Sequence, residues 1–263
     1  MKLSDKLWNW GHLEGSHRNC RNCDAFPHQM TPEQYAEEYG IRNSFIVSYG
    51  GNIQPPFNPY AKRFSGLREV KFSVLGDASS PLPEAELGNT EDILAALGDA
   101  DNITGAIVDD FFSPKRMDRF TPEVLKKIKA ALNAKGLDFW CVLYAHQLDL
   151  DLEKYMDCFD GVTFWIWRSA ELKDNVQYVE RIKAIAKDKP LMLGVYVWDY
   201  GGGGKPLSAE LFETQLSYYF DLLRKKDIEG VVFCSNTLGD APLATNRILK
   251  DYIKRYGDEE IPD

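Results

Sequence analysis

Gly105-Ala-Ile-Val-Asp-Asp110 is a glycine, three apolar residues and then two acids, and the same shape returns three times further along the chain. It recurs as Gly161-Val-Thr-Phe-Trp-Ile-Trp167, Gly194-Val-Tyr-Val-Trp-Asp199 and Gly230-Val-Val-Phe-Cys-Ser-Asn236. Unbroken apolar runs of this length suit parallel strands covered on both faces. The polar and aromatic residues that close each run suit the C-terminal rim, where (β/α)8 barrels gather their chemistry. Side chains alternate along a strand, so counting from each glycine puts Asp109, Trp165, Trp198 and Cys234 at one offset, facing the barrel axis. A carboxylate among indole rings is a surface suited to a sugar.

Outward from these runs, strand and helix patterns alternate. Strands are expected at residues 7–12, 43–49, 70–75, 138–146, 191–198 and 230–235, besides those at Gly105 and Gly161. Thr31-Pro-Glu opens a helix through Tyr39, and Thr121-Pro-Glu opens one through Ala134: threonine as cap, proline at the first helical position, an acid in the first turn. Further helices are expected near residues 91–97, 152–159, 174–187, 208–225 and 242–256, and the segment before strand three reads as irregular or weakly helical. Eight such units with no Pro/Ser-rich linker predict one domain, an α/β (β/α)8 TIM barrel over 1–263. The competing architecture is an open doubly wound sheet, but no Gly-x-Gly-x-x-Gly follows the first strand to cradle a nucleotide.

The chain has 263 residues, 44% of them hydrophobic and 13% aromatic, more aromatic material than packing alone asks for. Its net charge of -9 and lack of a basic stripe argue against a nucleic-acid partner, whose phosphates are met by clustered Lys and Arg. No apolar run is long enough to span a bilayer and the first residues lack the apolar core of a secretory leader, so a soluble, cytoplasmic protein is expected; a trimmed secreted chain would read the same way. Oligomeric state is left open. Cys141 and Cys234 lie in expected strands and read as reduced, buried thiols.

Adjacent carboxylates are expensive to bury without partners, which marks Asp109 and Asp110 as candidate catalytic groups. The plain structural reading is that Asp110 caps the next loop and Asp109 pairs with a buried cation. Asp199, after Trp198, and Glu14, beyond strand one, are candidate second carboxylates, since glycoside hydrolysis needs one acid to protonate the leaving oxygen and one carboxylate to attack or activate water. By parity Asp199 points away from the axis. Trp8, Trp10, Tyr49, Tyr144, Trp165, Trp167, Trp198 and Tyr200 crowd the expected strand ends, and His12, His146, Gln147 and Asn236 add polar groups at that rim. Each ring or histidine alone is ordinary packing material; their convergence suggests a pocket.

Two loops carry other chemistry. His17, Cys20, Cys23 and His28 are zinc-ligand types, but the spacing is tighter than a Cys2His2 site and the second half of a zinc ribbon is missing, so no metal and no cofactor are expected. Residues 201–205 are four glycines and a lysine after strand seven, where barrels bind phosphate, which leaves a sugar-phosphate isomerase or lyase as an alternative.

At Gly105-Ala-Ile-Val-Asp-Asp-Phe111 and Val195-Tyr-Val-Trp-Asp199 the chain resembles the barrel glycoside hydrolases in a broad, architectural sense. It also resembles uncharacterised barrel proteins that begin Trp-x-Trp-Gly-His, here Trp8 to His12. The first resemblance implies a carbohydrate substrate or ligand and paired carboxylates at the rim. In the large retaining group of those hydrolases strand four ends Asn-Glu and strand seven ends in Glu; here Asp109-Asp110 and Asp199 stand instead. A carbohydrate-binding barrel without catalysis is therefore the companion reading.

Overall fold

The computed structural model describes residues 1–16 and 22–261. Its elements run β1 (Leu7–Gly11), α1 (Pro32–Tyr39), β2 (Asn43–Ile46), α2 (Asn58–Arg63), β3 (Glu69–Ser73), α3 (Thr90–Ala95), β4 (Ile103–Val108), α4 (Pro114–Arg119), α5 (Pro122–Asn133), β5 (Asp138–Tyr144), α6 (Glu153–Met156), β6 (Gly161–Trp165), α7 (Asn175–Ala186), β7 (Leu191–Tyr196), β8 (Trp198–Asp199), β9 (Lys205–Pro206), α8 (Ala209–Arg224), β10 (Gly230–Cys234) and α9 (Ala244–Tyr256). Eight parallel strands close in the order β1, β10, β7, β6, β5, β4, β3, β2, a (β/α)8 barrel, while β8 and β9 form a small antiparallel pair outside it.

The recurrent glycines have a steric cause. A Cβ on Gly105 would strike the Asp138 side chain, one on Gly161 the Trp140 ring, and one on Gly194 the Trp165 ring. Each lies on the axis side of its strand, under a bulky side chain from the neighbouring strand, so the absence of a side chain makes room for that neighbour. Gly230 is closed in by the Lys6 carbonyl and Met192.

Two apolar layers result. Trp8, Trp10, Phe45, Val47, Ile107, Trp140, Val142, Trp165, Met192, Val232 and Cys234 fill the barrel axis, and alternate residues such as Phe72, Val108, Phe164 and Phe233 pack outward beneath the helices. Near the strand starts, buried Lys71 Nζ donates to both Asp138 carboxylate oxygens at 2.7 and 2.8 Å and lies 5.3 and 5.6 Å from the Trp8 and Trp140 rings. An ion pair seated on aromatic rings thus plugs the N-terminal end and leaves the C-terminal end for a site.

Local signals shape the surround. Thr31 and Gln34 form the reciprocal cap of α1, side chain to backbone in both directions at 3.1 and 2.9 Å. In the segment expected to be irregular or weakly helical, the six-residue α2 forms. A six-residue helix, α4, was not foreseen; it opens at Ser113-Pro114, the same cap-then-proline signal as α1 and α5. The barrel part of strand seven stops at Tyr196, two residues short of expectation. Among the described residues, no helix is long and apolar enough to cross a membrane.

Candidate active site

β4 lifts its two acids to the C-terminal mouth. Asp109, 4% exposed, continues the inward parity of Gly105 and Ile107. Asp110 takes a φ of +47°, in the left-handed region that Asp tolerates better than most residues, so the strand ends there. Its Oδ1 accepts the Tyr144 hydroxyl at 2.9 Å and its Oδ2 accepts the Ala78 N–H at 2.9 Å, which anchors it between β5 and the loop after β3.

Asp109 is treated differently. Its Oδ1 is buried and has no hydrogen-bond partner among the described residues. Burial raises the Asp109 carboxyl well above the ordinary range, the neighbouring Asp110 and Asp77 add to this, and the Arg116 cation and the Asp110 N–H oppose it. The net direction favours the protonated form of the Asp109 carboxyl. The expected structural alternative, an Asp109 side chain locked to a buried cation, is not what is seen: Arg116 meets the Asp109 backbone carbonyl instead, at 2.7 Å.

Sequence reasoning passed over Asp77. It is 8% exposed, accepts Gly50 N–H at 3.1 Å and the Ser79 and Ser80 hydroxyls at 2.6 Å, and adds a third acid to the mouth. The Gly76-Asp-Ala-Ser-Ser80 turn chemistry directly after a strand was the available signal.

The aromatic residues divide into floor and rim. Trp10 and Trp165, 6% and 2% exposed, meet edge to face at 5.3 Å, and Trp165 Nε1 donates to Thr163 Oγ1. Above them, Trp167 is 36% exposed and stacks on Tyr200 at 5.8 Å with 15° between planes. Tyr144 stacks on exposed His146 at 5.4 Å and meets Trp167 edge-on at 6.2 Å. Tyr196, absent from the expected set, fills the inward position of β7 and contacts Trp165 and Trp167 at 5.0 and 5.5 Å. Burial raises the Tyr144, Tyr196 and Tyr200 hydroxyls well above their ordinary value, so they are hydrogen-bond donors at the rim. Cys234 faces the same space as a free thiol raised by burial, which makes it a packing group and not a nucleophile.

Trp198 corrects the glycine count. Parity holds only while the strand lasts, and beyond Tyr196 the chain leaves the barrel to pair with β9. Trp198 consequently belongs to the outer layer, packed edge-on against Phe26 at 5.5 Å.

Four other candidates are engaged in holding loops. Asn236, fully buried, accepts His12 N–H at 2.9 Å and donates to the carbonyls of His12 and Met30 at 2.9 and 2.7 Å, stitching β1 to the turn after β10. Asn9 completes that clamp by accepting Asn236 N–H at 3.1 Å. His12 is 3% exposed, with a ring hydrogen bond to the Val47 carbonyl and Tyr49 edge-on at 5.7 Å; burial lowers its pKa from 6.5 to about 3. Asp199 accepts Ser169 N–H at 3.2 Å and the Ser169 hydroxyl at 2.5 Å, tying the loop after β6 to β8. Glu14 is ion-paired with Arg63 at 2.8 Å, which lowers its carboxyl. Neither Asp199 nor Glu14 joins the β4 acids.

Part of the glycine-rich loop is engaged within the fold. Gly204 N–H goes to the Asp199 carbonyl at 3.0 Å, the Gly203 and Gly204 carbonyls take the Asn22 amide, and Gly202 is packed on the Asp199 carboxylate, a poor neighbour for phosphate. His17 and Cys20 lie outside the described residues. Cys23 is disulfide-bonded, and His28 Nε2 sits 2.6 Å from the Cys23 carbonyl. Among the described residues no group of three or more His, Cys, Asp or Glu is arranged to hold a metal.

A cleft of about 750 Å³ opens at the opposite end of the barrel, beside Lys183, Lys187, Lys189, Lys226, Asp227 and Glu229. Two of its acids are ion-paired, Glu229 with Lys6 and Asp227 with Lys183.

The (β/α)8 fold is shared with solved structures that include a chitinase and a mannanase. The catalytic domain of a hyperthermophilic chitinase from Pyrococcus furiosus superimposes with a TM-score of 0.60 at 13% identity, covering 97% of each chain. A GH113 β-1,4-mannanase gives 0.57 at 11% identity over 96% of this chain and 99% of its own. The xylanase-α-amylase inhibitor protein XAIP-I, in complex with trehalose, gives 0.58 at 12% identity over 93% and 97%. At these identities the likeness is one of fold. No protein-family model and no curated protein sequence matches the chain.

Proposed function

We propose that the chain is a glycoside hydrolase whose β4 acids carry the reaction. The observation that supports this reading is the buried, unpartnered Asp109 oxygen on a carboxyl that keeps its proton, set at the mouth beside the Tyr144, Trp167 and Tyr196 rim. Asp109 delivers its proton to the glycosidic oxygen as the bond breaks, and a water molecule then adds to the anomeric carbon and gives a proton back to the Asp109 carboxylate. Asp110, oriented by Tyr144 and Ala78, directs its negative field at the cation that develops on the sugar ring. The rim rings take the C–H faces of the sugars, and the tyrosine hydroxyls meet their hydroxyls. The fold's chitinase and β-1,4-mannanase neighbours make β-1,4-linked chitin and mannan oligosaccharides the first substrates to offer.

One observation favours a second reading, a carbohydrate-binding barrel without turnover. Asp199 and Glu14, the two expected second carboxylates, are engaged with Ser169 and Arg63 and not with Asp109.

Labelled oligosaccharides incubated with the parent, Asp109→Asn and Asp110→Asn separate the two. Each swap removes charge with little change of shape. With circular dichroism unchanged, turnover is expected to fall about 10²- to 10⁴-fold in Asp109→Asn. Binding without cleavage by the parent would establish the binding module and end the hydrolase reading.

A further inference from the structure

Arg116 is 3% exposed and comes from α4, an element the functional reading does not otherwise use. Its guanidinium makes no carboxylate contact among the described residues. Nη1 donates to the Gly76 carbonyl at 2.9 Å and the Asp109 carbonyl at 2.7 Å, and Nη2 donates to the Asp77 carbonyl. Those carbonyls come from the ends of two neighbouring strands, β3 and β4. One rigid planar fork therefore fastens the turn that carries Asp77 to the residue that carries the unpaired acid.

We infer that Arg116 is the positioning residue of this site, fixing the Asp109 backbone against the β3 turn while standing behind its carboxyl without pairing with it. The inference rests on the hydrolase reading and extends it to a residue outside the rim. Two features of the contact set argue for it. A cation meant simply to neutralise the acids would bond their carboxylates; this one leaves the Asp109 carboxyl free to transfer a proton. Lysine, a single ammonium on a flexible stem, does not reproduce a fork spanning two strands, so the geometry calls for arginine. The field of the guanidinium adds a second effect, since it opposes the burial that raises the Asp109 carboxyl. Removing it moves that titration further up, and the pH limb governed by protonated Asp109 moves up with it.

The test compares the parent with Arg116→Gln and Arg116→Lys. Asp109 is titrated directly by ¹³C carboxyl NMR, its resonance assigned by loss in Asp109→Asn, and the pH profile of turnover on the labelled oligosaccharides is recorded beside it. In Arg116→Gln the Asp109 midpoint and the basic limb are both expected to rise, and kcat to fall on the order of 10²-fold because the acid's seat is loosened. In Arg116→Lys the charge remains, so the midpoint stays nearer the parent's while kcat still falls. A folded Arg116→Gln with an unmoved Asp109 titration would overturn the inference. If Arg116→Gln does not fold, Arg116→Lys with the parent's kcat and KM would overturn it equally. A parent that cleaves no glycan removes the hydrolase reading, whereas the NMR titration still decides whether Arg116 acts on Asp109.

Discussion

His12 ties the integrity of the mouth to pH with a sign that can be worked out. Its ring is buried against Val47 and Tyr49, and burial lowers its pKa from 6.5 to about 3. Between those values the unfolded chain holds a proton on His12 that the folded chain refuses, so stability rises with pH across the window and is lost as pH falls below 6.5. Each pH unit of the window is worth about 1.36 kcal/mol, so acidification from about pH 7 to about pH 4.5 removes roughly 2 to 3 kcal/mol through this one residue. Urea unfolding of the parent and of His12→Gln at both pH values isolates the effect. Glutamine keeps an N–H donor and does not titrate, so every other group's contribution cancels in the difference. The variant is expected to be less stable than the parent near neutrality and to lose roughly 2 to 3 kcal/mol less on acidification. Equal losses in the two proteins, with equal m-values, would show that His12 is not held neutral by burial and that its place in the mouth has been misread.

Trp167→Ala tests the rim: Trp167 is 36% exposed and stacked on Tyr200, so glycan affinity measured by calorimetry should fall about tenfold with far-ultraviolet circular dichroism unchanged. Unaltered affinity would move the binding surface elsewhere. Gly194→Ala tests the steric reading of the glycine repeats: the new Cβ meets the Trp165 ring, and overpacking there should lower stability by about 1 to 3 kcal/mol in urea unfolding. A variant as stable as the parent would mean that the indole has room to move.

Much of this arrangement was legible because it is local. Gly105, Gly161 and Gly194 announce strands through a close approach that recurs, and the inward parity of Asp109, Trp165 and Cys234 follows from counting within one strand. The cap signals at Thr31 and Thr121 are complete within four residues, and the helices they predict form. What was illegible depends on partners far along the chain. Nothing near Asp199 announces Ser169, nothing near Glu14 announces Arg63, and nothing near Asn236 announces Met30, yet these contacts decide which polar residue faces the mouth and which one ties a loop. Trp198 failed for a different reason: the count from Gly194 was right as far as Tyr196 and was carried past the strand's end. Arg116 lay between these cases, with Ser113-Pro114 offering a helix start that a six-residue element made easy to pass over.

Two of the buried titratable groups at the mouth, His12 and Asp109, pull in opposite directions. His12, neutral when folded, makes acid unfavourable. Asp109, whose folded carboxyl is raised, binds a proton that the unfolded chain has already released, so its contribution is present below the ordinary carboxylate range and is lost as pH rises toward the raised midpoint. Between the ordinary carboxylate range and pH 6.5 the two slopes oppose each other, so what His12 contributes as pH rises Asp109 gives up. An acid meant only for packing would be better replaced by asparagine or an apolar residue, since a buried, unpaired carboxyl is a liability to the fold. Its retention at the end of β4, with Lys71 and Asp138 closing the far end and Arg116 bonded to its backbone but not to its carboxyl, is intelligible if the transferable proton itself is what the structure maintains.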